Sequence, residues 1–189
     1  MRRIGLVTLL IASPALANGD DAETRSRALA DQFQGALMKE LQGAIADKGV
    51  AGAVGACTTI APALAKRLSE ESGATVRRTA LRTRNPLAKP DGYEAWALAS
   101  LDEQPMSGGK PREISGWVEE QGGAAFRYMR AIPTGGVCLA CHGSDIAPEV
   151  KAAIAAAYPQ DQATGFKMGQ LRGAFSIRWE KAALGGSGR

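Results

Sequence analysis

The stretch Gly136-Val137-Cys138-Leu139-Ala140-Cys141-His142-Gly143 constrains this chain more than any other. It spells C-x-x-C-H, in which two thiols separated by two residues can add to the vinyl groups of a haem while the adjoining imidazole is carried under the iron. Read this way, Cys138 and Cys141 are the thioether anchors of one covalent c-type haem, and His142 is its proximal ligand. A bare C-x-x-C would better fit a redox dithiol or half of a zinc site. The following His, with no second C-x-x-C or His pair elsewhere, favours haem. His142 is the single histidine of 189 residues, so bis-histidine ligation within one chain is excluded. The opposite face of the iron is then open or taken by another residue type.

Residues 1–17 read as a secretory signal: Arg2 and Arg3 form a positive start, Ile4 to Ala12 a short apolar run, and Ala15-Leu16-Ala17 an A-x-A cleavage site. The run is too short to span a bilayer. A mature chain beginning at Asn18 is therefore expected in the periplasm, where bacterial c-type haem is attached. Loss of Arg2 and Arg3 lowers Lys+Arg from 23 to 21 against 19 Asp+Glu, so the formal charge falls from +4 to +2. Two haem propionates would bring it near zero, and the dispersed basic residues give no case for a nucleic-acid partner. The length suits one domain over 18–182, with a Gly-rich tail at 183–189 expected to be disordered.

Along the chain, Leu29, Phe33, Leu37, Leu41 and Ile45 recur every four residues and predict a long amphipathic helix from Asp20 to about Asp47. Such a stripe packs on its own domain or pairs with a second copy of the chain. Gly49 and Gly52 interrupt it. A second helical face follows in Cys57, Ile60, Ala61, Leu64 and Leu68; Pro62 should start or kink this segment, and Gly73 should stop it. Strands are expected at 74–84, 113–119, 124–132 and 171–179, the last alternating cleanly between a buried face (Leu171, Gly173, Phe175, Ile177, Trp179) and a polar one. Between them lie a short helix carrying Tyr93, Trp96, Ala97 and Leu101, a loop from Gln104 to Arg112, and a helix opened by Pro148 and closed by Tyr158-Pro159. The order implies an α+β domain, an antiparallel sheet with helices on one side.

Several motifs together resemble one family. They are Cys57 with Ala61-Pro62; Arg78-Thr79-Ala80-Leu81-Arg82 leading to Arg84-Asn85-Pro86; Pro90-Asp91 and Glu94; Tyr128-Met129 before the C-x-x-C-H; Tyr158-Pro159 with Asp161 and Gly165; and Arg172-Gly173-Ala174. Over roughly residues 25–180 the chain resembles the c-type haem domains of PAS-like fold that occur alone in the periplasm or lumen, or as inputs of membrane signalling proteins. The resemblance implies a PAS-like antiparallel sheet with packed helices and one haem held by His142 and, from the N-terminal helices, Cys57. Ala80 stands where Ser would be expected.

The residues alone leave the sixth ligand open among Cys57, Met38, Met106, Met129, Met168 and a Lys; a neutral Met is the usual partner of His in electron carriers and raises the potential. Cys57 is the odd thiol of an exported chain and needs an account, whether as a ligand, a small buried hydrophobe or half of an intermolecular disulfide. The arginines of 77–84 are the one concentrated charge, and Arg78, Arg82 and Arg84 are candidates for propionate contacts. The leading expectation is a low-potential redox carrier or redox-responsive sensor, without catalytic residues and with an unidentified redox partner protein. A sensor of CO, NO or another small ligand is the alternative, and a sulfur-compound oxidoreductase acting on thiosulfate or sulfite a third.

Overall fold

A computed structural model of the chain describes residues 14–103 and 112–184. Most of the expected signal, Met106 and residues 185–189 lie outside them. Helix α1 (Pro14–Ser72) is broken at Gly49, whose φ of 67° and ψ of 175° leave the helical region, a backbone that glycine takes at little cost. Beyond that break, the arms Asp21–Gly55 and Cys57–Ser72 meet at 88° at the junction between Gly55 and Cys57. Pro62 lies inside the second arm, and Gly73 ends that arm with its N–H on the Ser69 carbonyl at 2.9 Å. The predicted stripe is realised in its first half: Phe33 is 1% exposed with Leu29 and Leu37 packed beside it, whereas Leu41 and Ile45 are only half-buried.

Strands β1 (Thr75–Thr79), β2 (Glu113–Glu120), β3 (Gly123–Pro133) and β4 (Leu171–Glu180) form one antiparallel sheet in the order β1-β4-β3-β2. β1 is shorter than expected. The Thr79 hydroxyl and the Ala80 N–H both donate to the Ala88 carbonyl, folding the chain back over a 3-10 turn at Pro86–Ala88.

On one face, Phe126, Tyr128, Phe175, Ile177, Trp179 and Val76 pack against Phe33, Leu64 and Leu68 of α1. On the other, Met129, Ala131 and Ala174 pack against Ala97, Leu98 and Leu101 of α2 (Gly92–Glu103). Helices therefore cover both faces, which corrects the expectation of a single helical side. The polar face predicted for β4 is corrected as well, because Ala174 and Ser176 are buried. Alternation marks which residues share a face but not whether a distant helix covers it. In α2 it is Leu98, not Trp96, that reaches the core; Trp96 is 56% exposed.

The start of α2 shows reciprocal capping. The Asp91 carboxylate accepts from Glu94 N–H at 2.7 Å while the Glu94 carboxylate accepts from Asp91 N–H at 3.0 Å. Asp91 also receives the buried Arg127 guanidinium at 2.7 Å. Replacement Asp91→Ala should lower unfolding free energy by about 1–2 kcal/mol, read from urea denaturation. Burial alone would raise the Asp91 pKa, but Arg127 and the Glu94 N–H outweigh it and hold it below its ordinary value. A lowered folded pKa stabilises the fold above the unfolded pKa and is lost as pH falls through the folded one. The wild-type advantage over Asp91→Ala should therefore persist at neutral pH and fade only below about pH 4.

Three short helices complete the chain. α3 (Gly136–His142) follows β3, α4 (Pro148–Ala157) packs on α1, and α5 (Lys181–Leu184) closes the core. Leu184 is buried in the main cluster, so the fold runs two residues beyond the expected boundary at 182. Among the described residues, no single helix is long and apolar enough to cross a membrane.

Candidate functional site

The C-x-x-C-H stretch is helical, and helical spacing organises its chemistry. Cys138, Cys141 and His142 stand at i, i+3 and i+4 in α3, so two thiols and one imidazole share a side of the helix. No disulfide joins any two of Cys57, Cys138 and Cys141. Gly143 is required by space: a Cβ there would lie 2.6 Å from the Leu139 carbonyl oxygen, and the Gly143 N–H donates to that same oxygen at 2.9 Å. Upstream, the Thr134 N–H and hydroxyl both donate to the Gln170 carbonyl, tying the exit of β3 to the entry of β4.

His142 is held by the strap that follows α4. Its Nδ1 lies 2.6 Å from the Ala163 carbonyl oxygen. A carbonyl only accepts, so Nδ1 carries the proton and Nε2 presents its lone pair. The strap is pinned on both sides of this contact: Gly165 N–H donates to the Gly143 carbonyl and Phe166 N–H to the His142 carbonyl, each at 2.8 Å. The Phe166 ring stands edge-on to the imidazole at 6.2 Å. Beneath, Arg84 donates to Asp161 at 3.0 and 3.2 Å, to the Cys141 carbonyl at 2.7 Å and to the Ala163 carbonyl at 3.3 Å. Burial, with Arg172 and Arg84 nearby, pushes the His142 pKa down to about 2, so the ring is neutral.

Cys57 comes to this site through the bend of α1. Val50, Ala51 and Val54 pack with Ile146, Val150 and Ile154 of the α4 region and with Cys141, which sets the start of the second arm beside α3. Burial raises the Cys57 pKa, while the positive charges of Arg78 and Arg84 oppose the rise. The methionines fall elsewhere. Met129 is fully buried under α2, Met38 is half-buried on the first arm, and Met168 is exposed beside Gly136.

The arginines divide by strand face. Arg77 turns to the α2 side, where it donates to the Leu87 and Lys89 carbonyls and lies 3.5 Å from Glu94. Arg82 donates to the Gln162 carbonyl and covers the Phe166 ring at 4.2 Å, and Arg84 is committed to Asp161 and two carbonyls. Arg78 faces the cysteines, and its buried Nε has no hydrogen-bond partner. Arg172, on the strand face expected to be solvated, donates from Nε to His142 Nε2 at 3.4 Å, and burial draws its pKa down to about 9. Sequence reasoning missed the roles of Arg172, Ala163 and Phe166. Alternation in β4 hid the first, and a backbone acceptor carries no side-chain signal. An open cleft of about 500 Å³, lined by Ile146, Lys151, Ile154, Tyr158, Asp161 and Thr164, adjoins the site on the α4 side of Gly143.

The Tll0287-like family model matches residues 17–179. The chain belongs to the Tll0287-like family. Among solved structures it is similar to the crystal structure of the cyanobacterial haem-protein Tll0287, with 26% identity and a TM-score of 0.57 over 80% of this chain and 94% of that one. No curated protein matches. The matched span takes in one fold of this chain, with its broken N-terminal helix, antiparallel sheet and strap on His142. Four of the sequence motifs meet at one place in it: Arg84, Cys138 to Gly143 and Asp161 to Gly165 through hydrogen bonds, and Cys57 through its electrostatic interaction with Arg84 and Cys141.

Proposed function

We propose that this member of the Tll0287-like family binds a single haem of c type in a PAS-like domain and serves as a low-potential redox carrier or redox-responsive sensor in the periplasm. Cys138 and Cys141 would hold the porphyrin as thioethers, His142 Nε2 would ligate the iron, and Cys57 would supply the opposite ligand. The observation that carries the reading is the 2.6 Å contact of His142 Nδ1 with the Ala163 carbonyl, because a ligating imidazole characteristically donates its other N–H to such an acceptor. It fixes the ring tautomer and leaves Nε2 as the donor atom. The donor set also fits haem better than a bare ion. Among the described residues, no group of three His, Cys, Asp or Glu side chains could hold a metal. The similarity to Tll0287, a cyanobacterial haem-protein, supports the same group.

Bound haem would supply one-electron exchange between ferric and ferrous iron. The protein's part is electrostatic. An anionic sulfur stabilises the ferric state, since reduction removes a positive charge that the sulfur was neutralising, while Arg78, Arg84 and Arg172 raise the local positive potential and limit that bias. Arg172 N–H and a metal would compete for the one lone pair of His142 Nε2, so loading requires Arg172 to release it. Arg84 and Asp161 hold the strap, and with it the imidazole, in place.

Two measurements test the reading. Exported protein run on a denaturing gel should retain haem on the polypeptide, and a Cys138→Ser, Cys141→Ser double variant should retain none. The purified ferric protein should give low-spin EPR g-values characteristic of thiolate ligation and a midpoint well below that of His/Met cytochromes. A clearly positive midpoint would rule out Cys57 as a ligand.

A further inference from the structure

Arg78 is the cation at this site with no hydrogen-bond or ion-pair partner among the described residues. Alternation along β1 places Arg77 on the α2 face and Val76 and Arg78 on the α1 face, where Val76 packs with Leu64 and Leu68. The Val76 N–H donates to the Ser69 hydroxyl at 2.9 Å, which sets the register between strand and helix. Two residues of strand advance about 6.6 Å, roughly four helical residues at 1.5 Å each, so Arg78 leaves the strand further along the arm toward its Cys57 end. Part of Arg78 remains accessible, but its Nε is closed off without a hydrogen-bond partner. No ion pair of this guanidinium forms among the described residues, in contrast to Arg84 with Asp161 and Arg77 with Glu94. The ionisable groups near enough to interact with Arg78 are Cys57, Cys138, Tyr158, the neutral His142 and the cationic Arg172, with no carboxylate among them.

A half-buried cation with its Nε closed off and no anion beside it is costly, and an anion placed against it would relieve that cost. If Cys138 becomes a thioether it is neutral, and Tyr158 is a neutral phenol at ordinary pH. That leaves the Cys57 sulfur as the protein's own anion at this spot.

We infer that Arg78 is a positioning residue, the counter-charge that holds the Cys57 sulfur as an anionic iron ligand and sets how strongly that sulfur donates. This rests on the His142/Cys57 ligation proposed above. It differs from a propionate clamp, whose effect on the midpoint would be indifferent to residue 57. A positive charge beside sulfur lowers the energy of its lone pairs, so removing it should make the sulfur a stronger donor.

The test uses the haem-loaded full chain. In Arg78→Gln, the ferric sulfur-to-iron charge-transfer band should shift to lower energy and the spread of EPR g-values should change, while Arg78→Lys restores both in part. The midpoint should fall, and the fall should be larger with Cys57 present than in the Cys57→Ser background. An unchanged band and g-spread in Arg78→Gln would overturn the inference. So would equal midpoint shifts in the two backgrounds, which would assign Arg78 to a propionate. A wild-type protein without thiolate g-values sinks the ligation itself, so the two failures are distinguishable. Arg78→Met, which fills the space without charge, makes the same comparison should the Gln variant hold too little haem. In haem-free protein it should melt no lower than wild type, because the cation it removes has no partner there.

Discussion

Cys57→Ser is expected to convert the ferric protein from low-spin to a five-coordinate or water-bound, partly high-spin form while leaving haem attached through Cys138 and Cys141. A serine hydroxyl is not ionised near neutral pH and cannot replace the sulfur. The midpoint should rise as the anionic ligand is lost, and the ferrous form should take up CO readily at the vacated position. The alternative account of Cys57, a half-buried thiol on an apolar helix face, predicts a different result: a stability loss of roughly 1–3 kcal/mol from burying a hydroxyl and an unaltered spectrum. An unchanged low-spin spectrum would remove Cys57 from the site. Among the described residues, Met168, exposed beside Gly136, would then be the first methionine to replace, since Met129 is sealed under α2; Met106 lies outside them.

Asp161→Asn is expected to be the most destabilising single change at the site. Its carboxylate holds Arg84 in a pair whose side chains are 9% and 10% exposed, and Arg84 in turn binds the carbonyls of Cys141 and Ala163. Asn keeps the shape and an acceptor for the Ala163 N–H but removes the charge, leaving the guanidinium buried and uncompensated. Breaking one partner of a buried pair costs about 3–5 kcal/mol, which urea denaturation of the haem-free protein would register. Replacing both partners, as Arg84→Met with Asp161→Leu, should recover much of that loss, since no charge then remains buried. A cost below about 1 kcal/mol for Asp161→Asn would mean that water reaches the pair. The strap position would then have to come from the Gly165 and Phe166 backbone bonds alone.

Much of this site was legible in the sequence, and the reasons differ from residue to residue. The spacing of Cys138, Cys141 and His142 carries chemistry by itself, because helical geometry turns C-x-x-C-H into one reactive face. The elements were legible where pattern and punctuation agree, as in β4, α4 and the stop at Gly73. Tertiary coverage was not. Ala174 and Ser176 read as a solvated face because nothing in β4 reveals that α2, some seventy residues upstream, lies over it. The same blindness hid Arg172, whose strand position looked solvated while its guanidinium reaches His142. Of the basic cluster, composition found the charge but not its direction. Strand alternation sent Arg77 one way and Arg78 the other, and only the partners each one meets, or lacks, tell them apart.

The bend of α1 between Gly55 and Cys57 has a mechanical consequence. The two proposed axial ligands arrive on separate bodies, His142 on the strap-bound helix beside the sheet and Cys57 at the head of the second arm, just past the elbow of α1. A bond from each to one iron would be a removable cross-link between arm and sheet, closing a long stretch of chain and withdrawing conformational freedom from the elbow. Weakening of the sulfur bond on reduction would loosen that staple first at the elbow, so a one-electron event could be read outside the domain as the swing of a lever.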